Sequence, residues 1–128
     1  MELSDFLKSI IDQDICAVVV CNLEHKIIYM NPAAVRRYAK SGGAELLGKS
    51  LMQCHHARSA GRIEKVVQWF GEDRKNNRVY TSYNEKENKD VYMIALRDAD
   101  GALIGYYEKH EYRNRETQEK YRFCADVY

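Results

Sequence analysis

Residues Cys16 to Leu51 read CAVVVCNLEHKIIYMNPAAVRRYAKSGGAELLGKSL. Cys16 to Asn22 is a β-branched apolar run, Leu23 to Lys26 is polar, and Ile27 to Met30 is a second apolar run, which together make a strand hairpin. Asn31 then stands before Pro32. An Asn oxygen can cap the first free N–H groups of a helix, and Pro, with its φ already set, suits the first helical position. A helix is therefore expected over Pro32 to Lys40, broken by Ser41, Gly42 and Gly43, with one more helical turn over Ala44 to Leu47 before Gly48.

Upstream, Leu3, Phe6, Leu7, Ile10 and Ile11 recur on one helical face, with Glu2, Asp5, Lys8, Ser9 and Asp12 on the other. Burying five such side chains contributes on the order of 5 to 10 kcal/mol before entropy is subtracted, so this stripe is expected to pack on the sheet or on a second chain. Downstream, Ile63, Val66, Val67 and Phe70 mark a long helix from Ala57 that Gly71 is expected to end. Val79 to Asn84 alternates as a third strand, Glu85 to Asp90 is a polar turn, and Val91 to Leu96 is a fourth strand. The DADG turn at Asp98 to Gly101 leads to a fifth strand over Ala102 to Tyr112. Arg113 to Arg122 is charged and lacks Gly and Pro, so an exposed helix is expected there. Two hairpins around a helical middle imply an α+β fold, a five-stranded antiparallel sheet with its helices gathered on one face and an amphipathic N-terminal helix.

The order of these elements, the strand ending at Asn31 and the ELLGK turn at Glu45 to Lys49 resemble the PAS family over roughly Ile15 to Tyr112. The resemblance implies an N-terminal helix over residues 1–14, a PAS-like domain over 15–112 and a charged extension over 113–128. It also implies a job in sensing and partner binding. Three readings follow: a signalling module that binds a small molecule or a protein, a ligand-free module used only for pairing, and a haem-binding gas or redox sensor. Haem-binding members hold iron through a His on the long helix, and Ala57 to Phe70 contains none, with His55 and His56 just ahead of it. The blue-light subgroup carries a reactive Cys three residues after the Gly of the L-G-[KR] turn, where this chain has Leu51. A flavin adduct is thereby disfavoured, and non-covalent flavin stays open.

Lys and Arg number 20 against 19 Asp and Glu, so there is no net basic field to draw the chain onto nucleic acid. No apolar run approaches the roughly 20 residues of a membrane span, and the Met1 segment carries acids where a signal peptide has bases. A cytoplasmic protein is expected. The four cysteines lack metal-site spacing and read as reduced thiols. No kinase, cyclase or DNA-binding segment accompanies the domain, so the expected output is a separate signalling protein.

Cys54, His55 and His56 form the one cluster with ligand chemistry, but adjacent side chains rarely face one ion and no second cluster completes a tetrahedral set, so no metal site is assigned. Some PAS members open the long helix with Cys-His-Pro-Pro-x-Ser; Cys54, His55 and Ser59 match it, while His56 and Ala57 replace the prolines. That likeness supports a helix start. On the last strand Tyr106, Glu108, His110 and Tyr112 share a face, and the resemblance turns that face toward the helices. A cavity is therefore expected between Ile63, Val67 and Phe70 on the long helix and Met93, Tyr106, Glu108 and His110 on the sheet. Leu3, Phe6, Leu7, Ile10 and Ile11 are the expected homodimer interface. Catalysis is the poorest reading, since no Ser-His-Asp set, HExxH or phosphate-cradling loop is present.

Overall fold

Asn31 is where strand turns into helix, and its side chain makes four hydrogen bonds while fully buried. Its Oδ1 accepts from Val18 N and Ala34 N, each at 2.9 Å, and its Nδ2 donates to Ile11 O at 2.9 Å and Cys16 O at 3.0 Å. The expected helix cap is there, and the same amide also ties down the N-terminal helix and the chain entering the first strand. The computed structural model describes the backbone of residues 1–54 and 57–123, and side chains within it except those of residues 54, 57 and 58.

The elements run α1 (Leu3–Gln13), β1 (Val19–Asn22), β2 (Ile27–Met30), α2 (Pro32–Arg37), three short 3₁₀ turns, α3 (Ala57–Glu72), β3 (Arg78–Asn84), β4 (Lys89–Arg97) and β5 (Leu103–Tyr112). The strands form one sheet in the order β2-β1-β5-β4-β3, every neighbouring pair antiparallel. The α+β class and the five-stranded sheet are as expected. Cys21, Met93 and Tyr106 from the sheet meet Ala34 of α2, Leu46 and Phe70 of α3 in one buried cluster. At the β1–β5 crossing a Cβ on Gly105 would lie 2.2 Å from Cys21 O, so only glycine lets these strands approach.

Several boundaries differ from the sequence reading, each for a tertiary reason. β1 starts at Val19 rather than Cys16, because residues 16 and 18 bond to the Asn31 side chain instead of a strand. α2 stops at Arg37, with a 3₁₀ turn over Ala39–Ser41 in place of the rest of the helix. Gly71 does not end α3, which runs on to Glu72. The helix end is met instead by Arg97, whose Nη2 donates to Phe70 O at 2.7 Å and to Asp73 O and Asn76 O at 3.1 Å. A guanidinium is well suited to the unpaired carbonyls and negative pole found there.

β4 begins at Lys89, two residues inside the expected turn. Lys89 pairs with Tyr112 of β5, and its ammonium lies 3.2 Å from Glu87 and 5.5 Å from the centre of the Tyr112 ring. The expected helix over residues 113–122 is absent. Arg113 N donates to Asn88 O at 2.9 Å, Arg113 Nε to Asp90 at 2.5 Å, and Asn88 Nδ2 to Asn114 at 2.8 Å. These bonds hold the chain along the β3–β4 turn, and the segment lacks an apolar face that would drive helix packing.

α1 forms as expected, yet none of its residues is buried. Tyr29 donates a hydrogen bond to Asp12, and Lys8 pairs with Asp12 at 2.5 Å. Leu3, Phe6, Leu7 and Ile10 are each more than half exposed. Of the two coverings expected for this stripe, the sheet of the same chain does not supply one.

Candidate functional site

Strand alternation on β5 places the candidate polar residues. Tyr106 lies opposite Cys21 on β1, Glu108 opposite Met93 and His110 opposite Val91 on β4, so all three side chains share the inner face with buried apolar neighbours. Tyr106 is enclosed, and its hydroxyl is 2.8 Å from His25 Nδ1. Burial, with the Cys21 thiol beside it, pushes the Tyr106 hydroxyl above its ordinary range.

Space along that face is uneven. Between α3 and the sheet, where the sequence places a cavity, about 30 Å³ remains, bordered by Ile63, Met93, Tyr106 and Glu108. Phe70 is fully buried in the core and Val67 packs against it, and neither borders that space. A hollow of about 260 Å³ lies to the side, under α2 and the 3₁₀ turns. Its apolar wall comes from Ala17 and Val19 of the β1 side, Ile27 and Met30 of β2, and Leu46 and Leu51 of the turns. Tyr38, Ser41, Glu108 and His110 supply polar groups. Of the seven expected ligand-binding residues, Glu108 and His110 border this hollow and Ile63, Val67, Phe70, Met93 and Tyr106 do not.

His110 is the unusual member. Its side chain is 7% exposed, its Nε2 stands 3.6 Å from Glu108 Oε1, and its Nδ1 is buried without a hydrogen-bond partner. At 3.6 Å the carboxylate attracts the ring without making a good hydrogen bond. Burial, then the charges of Lys89 and Arg37, push the imidazole down to about 4, with Glu87 opposing. The ring is therefore neutral at pH 7.

The charges come from a three-residue network behind it. Arg37, at the end of α2, grips Glu87 with both Nη atoms at 3.0 and 2.8 Å, and Lys89, 2% exposed, lies 3.2 Å from the same carboxylate. The Arg37 guanidinium, followed by Lys89, holds the Glu87 carboxyl down to about 2. Sequence reasoning passed over this network and the α2 side of the hollow. One signal was present: Lys89 is in phase with Val91 and Met93, and a lysine on the apolar face of a strand needs a buried partner.

A second space of about 410 Å³ is larger and more open, a groove at the end of α1 lined by Ile10, Ile11, Val20, Leu96 and Tyr107 among others, and His110 borders it as well as the hollow. The smaller hollow is better enclosed and joins apolar walls to convergent polar groups, the features of a small-molecule site. At about 260 Å³ it falls just below the ~300–1,000 Å³ typical of sites for drug-sized ligands. No cluster able to hold a metal exists among the described residues; Cys54, His55 and His56, to which the sequence assigns no metal site, lie outside the described side chains. No helix among the described residues is long and apolar enough to cross a membrane.

A family model described as PAS domain matches residues 15–108. No curated protein sequence matches the chain. Among solved structures, a C-terminal domain from Streptococcus mutans is similar with a TM-score of 0.65 and 17% identity, covering 84% of this chain and 83% of that one. A PAS domain from Colwellia psychrerythraea has a TM-score of 0.64 and 13% identity over 88% of this chain and 98% of that one. The PAS domain of Bordetella pertussis BvgS has a TM-score of 0.61 and 15% identity, over 88% and 87% respectively. At these identities the likeness is one of fold.

Proposed function

The chain belongs to the PAS domain family, and from that premise we propose that it is a sensory module that binds a small organic molecule in the hollow beneath α2. Occupancy is passed to a separate signalling protein by surface contact. The observation that carries this reading is His110, a buried neutral imidazole with an unpartnered Nδ1 on the wall of a space that joins apolar residues to a few polar ones. A core selected only for packing would place Leu or Val there, since an unpaired buried polar atom costs free energy that an apolar side chain does not. In this reading the protein works in the cytoplasm without catalysis, nucleic acid or membrane. Native mass spectrometry of the purified protein should show extra bound mass that His110→Leu loses. Bare protein together with no thermal shift from a metabolite library would refute ligand sensing.

A second reading, a module used for pairing, is favoured by one observation. α1 presents Leu3, Phe6, Leu7 and Ile10 to solvent, and Ile11 lies beside them at the end of the groove. A homodimer covering this stripe would remove a large apolar patch from water. The two readings are compatible, because α1 is tied to Asn31 next to the hollow and a change in the hollow could alter its seat.

A further inference from the structure

We propose that the hollow selects an uncharged, compact molecule carrying an N–H or O–H donor, and that His110 accepts its hydrogen. This deepens the ligand-sensing reading and rests on it. The buried side-chain atom without a partner among the described residues is His110 Nδ1. In a neutral imidazole one nitrogen donates and the other accepts. Glu108 Oε1 lies 3.6 Å from Nε2, and a carboxylate facing that nitrogen favours the tautomer with its proton on Nε2. Nδ1 is then a bare lone pair. The side chain that carries Nδ1 borders both the hollow and the groove at the end of α1, and of the two the hollow is the better enclosed. What Nδ1 lacks is a donor, so a ligand offering only acceptors leaves it as unsatisfied as before.

Charge decides the rest. The groups facing the ring are Arg37 on α2, Lys89 on β4, Glu87 in the β3–β4 turn and Glu108 on β5, two cations and two carboxylates, which sum to zero. An anionic ligand meets Glu108 at the wall, and a cationic one adds to the field of Lys89 and Arg37 that already keeps a proton off the ring. Neither charge finds an unopposed partner. The remaining wall, with Met30, Leu46 and Leu51, takes an apolar body.

Four probes of nearly equal size separate these properties: benzyl alcohol (neutral donor), anisole (neutral, acceptor only), benzoate (anion) and benzylammonium (cation). Each is titrated into the full isotope-labelled chain at pH 7, and Kd is read from the amide resonances of residues around the hollow. Benzyl alcohol should bind about tenfold tighter than the other three, the effect of one hydrogen bond to a buried neutral acceptor. His110→Leu should erase that preference, and His110→Gln, whose amide oxygen accepts, should keep part of it. Equal or tighter binding of anisole, benzoate or benzylammonium overturns the proposal. So does a preference for benzyl alcohol that survives in His110→Leu, or one read only at the Ile10 and Tyr107 groove. If no probe moves the resonances of the hollow, the ligand-sensing reading itself fails and this inference with it. The wild-type series and His110→Gln decide the matter even if His110→Leu does not fold.

Discussion

Asn31→Ala removes a side chain whose four hydrogen bonds are all made inside the protein. Two of them serve buried backbone donors, Val18 N and Ala34 N, and leaving a buried donor unpaired costs about 1–3 kcal/mol. The carbonyls of Ile11 and Cys16 are only partly buried, so water replaces much of what they lose and each adds less than about 1 kcal/mol. The sum is about 2–8 kcal/mol, a large part of the roughly 5–15 kcal/mol that holds a domain folded. Asn22→Ala is the control. Its Oδ1 also accepts from two backbone donors, Glu24 N and Lys26 N at 3.0 Å, but in an exposed turn where water is available, so about 1 kcal/mol or less is expected. Urea unfolding followed by far-UV circular dichroism measures both, with an unchanged m-value as the sign that only stability moved. If Asn31→Ala costs under about 1 kcal/mol, or no more than Asn22→Ala, burial does not set the worth of these bonds and the reasoning is wrong.

Gly105→Ala should destabilise by about 1–3 kcal/mol or more, because its Cβ meets Cys21 backbone 2.2 Å away; hydrogen exchange should show β1 and β5 opening first, and a neutral substitution would contradict the close approach. Acid should destabilise in two stages. The unfolded chain protonates His110 near its ordinary 6.5 and the folded protein resists until about 4, so stability is full above pH 6.5 and falls toward pH 4 by up to about 1.4 kcal/mol per unit. Glu87, held down to about 2 from 4.5, supplies stability above pH 4.5 that is lost as pH falls toward 2. His110→Gln should flatten the first stage and Glu87→Gln the second, in urea midpoints measured across pH; unchanged slopes would count against both assignments. Phe6→Glu with Ile10→Glu should yield a monomer by light scattering, and a wild-type protein already monomeric at high micromolar concentration would rule out pairing through α1. Flavin added to the protein and illuminated should show no bleaching that recovers in the dark, since Leu51 stands where the reactive thiol would be; a bleach lost in Cys54→Ala would show the motif reading to be mistaken.

By itself the sequence determined most of what depends on neighbours a few residues apart, although the charged segment over residues 113–122, which has no apolar face, is not the helix its composition suggested. The two hairpins, the Asn31 cap, the amphipathic α1 and the shared face of Tyr106, Glu108 and His110 follow from periods of 2 and 3.6 and from turn chemistry, the resemblance to the PAS family turned that face inward, and the structure has them. Element ends were less legible where a distant group sets them. Arg97 meets the carbonyls at the end of α3 from 21 to 27 residues away, so Gly71 had no ending to make. Only the tertiary structure decided where empty space lies, because volume is what remains after helices and strands pack, and no local pattern records how Phe70 fills one part of the inner sheet face while the turns after α2 leave another part open. It also brought Arg37, Glu87 and Lys89 together behind His110, an arrangement 50 residues wide in sequence along the Arg37–Glu87 pair. A charge on one segment takes its meaning from a charge on another, and only folding makes them neighbours.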